Sequence, residues 1–225
     1  KTQTNIPKTT PQNVEGKLSK TLLNEIILRT VRVECSGEIS TTGSGFVASS
    51  EATEKGWVVL TNAHVVVVGP KYWERSYCNV IASSPTNSSA VISYPAIIFK
   101  VETKKYPDID YAMLLVPNGH PLKHFKDIMN PVCYEKDIEI GDSVNIFGYP
   151  AYGGESVTVT EGIVSGFQTT VWGNVVKTSA RIDSGNSGGM AINVSKKCAI
   201  GMPTWVVEGD FSGLGYIQPT YIMSN

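Results

Sequence analysis

The sequence predicts an all-β protein, and three observations carry that expectation. Beyond Thr30 the apolar residues recur with a period of two or in short runs, as in VRVEC, GWVVLTNA and YAMLLV. Those runs are bounded at regular intervals by Gly, Ser, Asn and Pro, the residues from which turns are made. The 225 residues include 21 glycines and 12 prolines alongside 41% apolar residues, a turn-rich composition that can still fill a core. Strands so spaced suggest a barrel or a sandwich, and two β-barrels of about 90 residues each fit the length.

Taken in order, residues 1–14 (KTQTNIPKTTPQNV) have almost nothing to bury and read as a flexible lead-in. The chain starts at Lys rather than Met, so a processed or trimmed N-terminus is expected. From Glu15 to Arg29, Leu18, Leu22, Leu23, Ile26 and Ile27 fall at spacings of three and four, which predicts one amphipathic helix over 15–29. The first barrel is expected over 30–120, from VRVEC, GSGFVAS, GWVVLTNA, NVIASS and YAMLLV. The polar stretch PNGHPLKHFKDIMN then interrupts the strands, placing a connection at 121–135. The second barrel is expected over 136–225, from SVNIFGY, GIVSGF, GMAINV and GYIQ. No repeat with a period of about 20 to 50 residues is visible, which excludes solenoids and propellers.

Charge removes further classes. Nineteen Lys+Arg against 20 Asp+Glu give a net charge of −1, with no footprint for nucleic acid or an anionic membrane. No apolar run approaches the roughly 20 residues that span a bilayer. The four cysteines, Cys35, Cys78, Cys133 and Cys198, include no C-x-x-C pair, and the sequence does not choose among their three possible pairings. Cys35 continues the alternation of Val31 and Val33, and it reads as a core-facing free thiol in preference to a disulfide.

The sharpest local signal is Gly185-Asn186-Ser187-Gly188-Gly189. Glycines on both sides of a serine permit tight backbone geometry and leave amide N–H groups free to meet a ligand. Alone, such a turn is more often only a hairpin. The same pentapeptide fits the G-x-S-x-G elbow of α/β-hydrolases, where the acid and then the histidine follow the serine. Here His64, His120 and His124 all precede Ser187, and no βαβ alternation exists, so that class fails. The opposite order, His then Asp then Ser, belongs to chymotrypsin-type barrels. His64 stands in TNAHVV directly after an apolar strand, and Asp110 stands at the mouth of the strand DYAMLLV, with Asp108 as a rival. Either residue alone would most often be structural; the joint pattern is far less common.

Together, T-N-A-H-V-V, D-Y-A-M-L-L-V and G-N-S-G-G resemble the trypsin-like serine proteases, especially the HtrA type, from about Leu22 to Pro219. Supporting segments are Gly43-Ser44-Gly45-Phe46, Gly141-Asp142, Gly148-Tyr149-Pro150 and Gly213-Leu214-Gly215-Tyr216-Ile217-Gln218-Pro219. The resemblance implies two six-stranded antiparallel β-barrels of chymotrypsin-like form with an N-terminal helix, and an active site between them. It implies that Ser187 attacks a peptide carbonyl while His64 takes its proton and Asp110 orients the imidazole. It assigns the oxyanion hole to the turn Gly185, Asn186 and Ser187, through the N–H groups of Gly185 and Ser187. It implies a polypeptide substrate and neither metal nor organic cofactor; His120 and His124 read as surface residues. Relatives of this type point to an extracytoplasmic location and commonly carry a PDZ domain, for which little chain remains after Pro219.

Specificity rests on the same resemblance. The position six before the nucleophile shapes the base of the pocket and is here Arg181, where HtrA-type sequences usually carry a small residue. A cation there would select acidic side chains; alternatively, Arg181 pairs with Asp183 or turns to solvent. Ile182, Met202, Pro203, Thr204, Trp205 and Gly215 complete the expected substrate-binding set, with GMPTW as an edge strand that pairs with an extended peptide. Pro203, lacking an N–H, would shorten that pairing. A catalytically silent peptide-binding homologue is the other reading, and the intact His64, Asp110 and Ser187 disfavour it.

Overall fold

In a computed structural model, which describes residues 17–37, 39–49, 56–66, 77–83, 91–102, 109–117, 132–151, 156–206 and 213–223, the chain opens on helix α1 (Lys20–Arg29). It continues through β1 (Thr30–Ser36), β2 (Thr41–Ser49), β3 (Gly56–Thr61), the single turn α2 (Ala63–Val66), β4 (Tyr77–Ser83), β5 (Val91–Val101) and β6 (Ala112–Pro117). A 3₁₀ turn at Glu135–Asp137 leads to β7 (Ser143–Gly148), β8 (Thr158–Thr170), β9 (Gly173–Thr178), β10 (Met190–Asn193), β11 (Cys198–Val206), β12 (Gly215–Pro219) and α3 (Thr220–Met223). The strands close two antiparallel six-stranded barrels, ordered β1-β2-β3-β6-β5-β4 and β7-β8-β9-β12-β11-β10. The all-β, two-barrel expectation is met, and both barrels use one strand order.

The period of two explains the inside of each barrel. Val31, Val33 and Cys35 of β1, Trp57 and Val59 of β3, and Ala112, Leu114 and Val116 of β6 alternate into the first core. Val144 and Ile146 of β7, Val176 of β9, Ile200 of β11 and Ile217 of β12 fill the second. A third apolar cluster takes Phe46, Ile109 and Tyr111 from the first barrel and Phe147, Met190, Ile192 and Met202 from the second. It also takes Ile26 of α1 and Ile222 of α3, so both terminal helices pack on the seam between the barrels.

Helix α1 begins later than its apolar spacing suggests. Ser19 caps it, its Oγ accepting the N–H of Leu22 at 3.2 Å, so residues 17–19 precede the helix that was expected from residue 15. Leu18 still packs on the seam cluster, which is why it shares the apolar spacing without being helical. At the other end Arg29 is buried and spans the junction, Nη1 donating to Val47 O at 3.3 Å and Nη2 to Glu25 Oε1 at 3.0 Å.

The expectation of a free thiol at Cys35 is overturned. Cys35 faces the core as its alternation requires, but β1 and β4 pair with Cys35 directly opposite Cys78, Cα atoms 4.1 Å apart, and the two form a disulfide. A second disulfide joins Cys133 to Cys198, Cα atoms 5.2 Å apart. The first pairing depends on the register that closes a barrel, which local spacing does not reveal. Strands β5 and β9 are absent from the expected runs: β5 carries Pro95 and is largely exposed, and β9 is a short run after a tight turn. The lead-in over 1–14, most of the connection over 121–135, and His120 and His124 lie outside the described residues.

Candidate active site

Strand β3 delivers the chain to Asn62 and then to α2, which carries His64. Asp110 lies just before β6 and is 1% exposed, while the His64 side chain is 36% exposed. The Asp110 carboxyl group grips this segment twice: Oδ1 accepts the backbone N–H of His64 at 3.0 Å, and Oδ2 lies 2.6 Å from His64 Nδ1. An acceptor at Nδ1 places the ring proton there and leaves Nε2 able to take another. The rival Asp108 lies outside the described residues.

Asp110 is itself held from two sides. Its N–H donates to Gln218 Oε1 at 2.9 Å, and its C=O accepts Asn62 Nδ2 at 2.6 Å. Asn62 Nδ2 also donates to Thr204 Oγ1 at 3.1 Å, and the Thr204 hydroxyl donates to Met202 O at 3.1 Å. Asn62 and Gln218 are fully buried, and residues of both barrels thus fix one carboxyl group. Neither side chain carries a motif of its own. The signal for Gln218 is only a polar residue beside the inward Ile217 in the apolar strand GYIQ; for Asn62 it is only its place beside His64.

Ser187 stands in the loop between β9 and β10. The N–H of Asn186 donates to Asp183 O at 3.0 Å, closing a turn in which Gly185 has φ +95°, the value of the third residue of a type II turn. Gly188 has φ +84°, and a Cβ there would fall 2.9 Å from Asn62 N and against Ser44 O and Thr61 Oγ1. The residue after Ser187 therefore abuts the segment that leads into His64, and any side chain would push the two apart. Gly188 N–H donates to Pro203 O at 3.1 Å, Gly189 N–H to Asn186 O at 2.9 Å, and Ser187 O accepts the N–H of Ser44 at 2.8 Å. Among the described residues nothing accepts the N–H of Gly185 or of Ser187. Asn186 differs from its expected place in the oxyanion hole: its N–H is engaged by Asp183, and its side chain is buried.

The expected specificity residues separate into groups. The Arg181 side chain is 79% exposed and its Nε pairs with Asp183 Oδ2 at 2.8 Å, so it does not stand at the base of a pocket. Two residues apart on one exposed face, the two form the pair that was expected as the alternative to acidic selection. Ile182 instead turns inward against Gly215, where an added Cβ would fall 2.5 Å from Ile182 Cδ1. The Met202 side chain is fully buried in the seam cluster, so only its backbone on β11 is placed to meet a peptide. Thr204 is also buried and turned toward Asn62. The ladder between β10 and β11 ends at Ala191 and Gly201, so from Met202 onward β11 pairs along one side only, with β12. Pro203 has no N–H, and its C=O is taken by Gly188, which leaves the backbone beyond it as the open stretch. For Trp205 only the backbone is described, paired with Tyr216.

Among the described residues no group of His, Cys, Asp and Glu could hold a metal ion, and no helix is long and apolar enough to cross a membrane.

Comparison with known proteins agrees with this geometry. The model of the trypsin-like peptidase domain matches residues 43–202. Protease Do-like 4, mitochondrial, of Arabidopsis thaliana is 30% identical over 190 residues, which cover 81% of this chain and 31% of that protein. Periplasmic serine endoprotease DegP of Escherichia coli (strain K12) is 30% identical over 128 residues, 54% of this chain and 25% of DegP. The solved structure of the HtrA-type protease AlgW with tripeptide superposes with a TM-score of 0.66 at 22% identity, covering 89% of this chain and 59% of that one. The chain thus spans about a third or less of the length of these two relatives.

Proposed function

Because the chain belongs to the trypsin-like peptidase family, we propose that it is a serine endopeptidase acting through His64, Asp110 and Ser187. The observation that carries this reading is the double hold of Asp110 on His64: its Oδ2 lies 2.6 Å from the ring Nδ1 and its Oδ1 accepts the backbone N–H, on the segment that Gly188 abuts. His64 Nε2 takes the proton as Ser187 Oγ attacks the peptide carbonyl, then returns it to the leaving amine. Asp110 keeps the ring in the required tautomer and steadies its positive form. The N–H groups of Gly185 and Ser187 stabilise the oxyanion, and water releases the acyl group.

The groups around Ile182 support a preference for small aliphatic side chains on the residue that precedes the cut, since an apolar side chain faces Gly215 where a cation was expected. A polypeptide is the partner, laid along β11 beyond Pro203. Two disulfides favour an oxidising, extracytoplasmic compartment.

The test is covalent labelling. A fluorophosphonate probe should modify wild type and leave Ser187→Ala untouched, and Ser187→Ala or His64→Ala should lose on the order of 10⁴- to 10⁶-fold in peptide turnover. Wild type that never labels would favour a silent peptide-binding role.

A further inference from the structure

We infer that Ser44 is a positioning residue of the reaction, its hydroxyl setting from the first barrel the turn that presents the oxyanion N–H groups of the second. The inference rests on the endopeptidase reading above. Ser44 lies in β2 and is fully buried. Each of its polar groups is engaged. Its N–H donates to Ser187 O at 2.8 Å, and its C=O accepts the Thr61 hydroxyl at 2.6 Å. Its Oγ donates to Gly185 O at 2.6 Å and accepts the N–H of Tyr149 at 2.8 Å. Three of those four bonds reach the second barrel.

Two of the three meet the carbonyls of Gly185 and Ser187, the two residues whose N–H groups have no acceptor among the described residues, and the third takes the N–H of Tyr149. The peptide joining Gly185 to Asn186 is pinned at both ends, its C=O by Ser44 and its N–H by Asp183. A glycine passes readily between backbone conformations, so a turn with Gly185 at φ +95° depends on such pins. Losing the C=O pin frees that peptide to rotate, and with it the adjacent N–H. The hydroxyl also has little room for substitutes: a Cβ on Gly148 would fall 3.0 Å from Ser44 Oγ. Alanine fits that space and removes the bonds.

The experiment compares wild type with Ser44→Ala, and with Ser44→Cys, whose larger thiol donates weakly. The readouts are the fluorophosphonate labelling rate per folded molecule, and kcat and KM on one peptide. Both variants should lose about 10- to 100-fold in labelling rate and in kcat, with KM within about threefold of wild type. Val116→Ala, which thins the first core far from the loop, should keep the wild-type labelling rate per folded molecule. If Ser44→Ala does not fold, Ser44→Cys is read by the same criterion. A folded variant that labels within about twofold of wild type overturns the role of Ser44. Wild type that fails to label overturns the endopeptidase reading instead.

Discussion

At the residue scale, the Asp110 carboxyl group is placed by its backbone as much as by its own oxygens. The Asp110 N–H is satisfied by Gln218 Oε1. Gln218→Leu keeps much of the volume but strands that N–H inside the protein, which should cost about 1–3 kcal/mol, read as a lower urea midpoint with an unchanged slope. Stability within error of wild type would remove Gln218 from the support of Asp110. The pairing of His64 with Asp110 was legible because each sits in a motif whose order is informative. Gln218 and Asn62 were not, since their partners come from the other barrel or from distant sequence. For Arg181 the sequence left two readings open, a pocket base or a pair with Asp183, and the structure shows the pair.

At the scale of elements, the two disulfides reinforce strands that are far apart in sequence. Cys35–Cys78 closes 43 residues and ties β1 to β4 where the first barrel closes on itself; Cys133–Cys198 closes 65 and anchors the start of β11. By the chain-entropy model each stabilises the fold by about 4 kcal/mol, so the double variant Cys35→Ala/Cys78→Ala should lower the melting temperature by many degrees. Unaltered melting would mean that the barrel closes without its staple. Elements with a clean alternation, β1, β3 and β6, were readable because only one face is buried. Strand β5 was not, since its exposed face also carries apolar residues, Pro95, Ile97 and Phe99, which hide the alternation of Tyr94, Ala96 and Ile98 toward the core. Helix α1 was visible but not its start, which depends on where Ser19 Oγ finds the N–H of Leu22.

For the whole molecule, the ionisable groups bound the pH range of stability. Burial raises the Asp142 carboxyl, but the N–H of Glu139, the Asn193 amide and Lys196 together hold it below its usual value of 3.8. A depressed acid stabilises the fold above its unfolded value, and that contribution is lost as pH falls through the lower folded one. Tyr221 is pushed up to about 12, by burial first and then by the charge of Glu135. The unfolded chain therefore releases this proton first, and stability falls as pH rises from 10.0 toward about 12. Urea midpoints measured across pH should decline on both flanks. Asn in place of Asp142 should flatten the acid flank and Phe in place of Tyr221 the alkaline one; unchanged flanks would assign them to other groups. The two-barrel plan was readable from the number and spacing of strands. Their common order was not, because the halves share topology without a sequence repeat.

Each disulfide begins and ends within one barrel, and neither crosses the seam. Oxidation therefore hardens the two halves separately while their docking stays a reversible association, held by the seam cluster and a few hydrogen bonds. On the endopeptidase reading proposed above, a peptide bound between the barrels would touch both and act as a further clamp, favouring the docked arrangement by mass action. The molecule incubated with such a peptide should then resist pulling apart and proteolytic nicking better than the molecule alone.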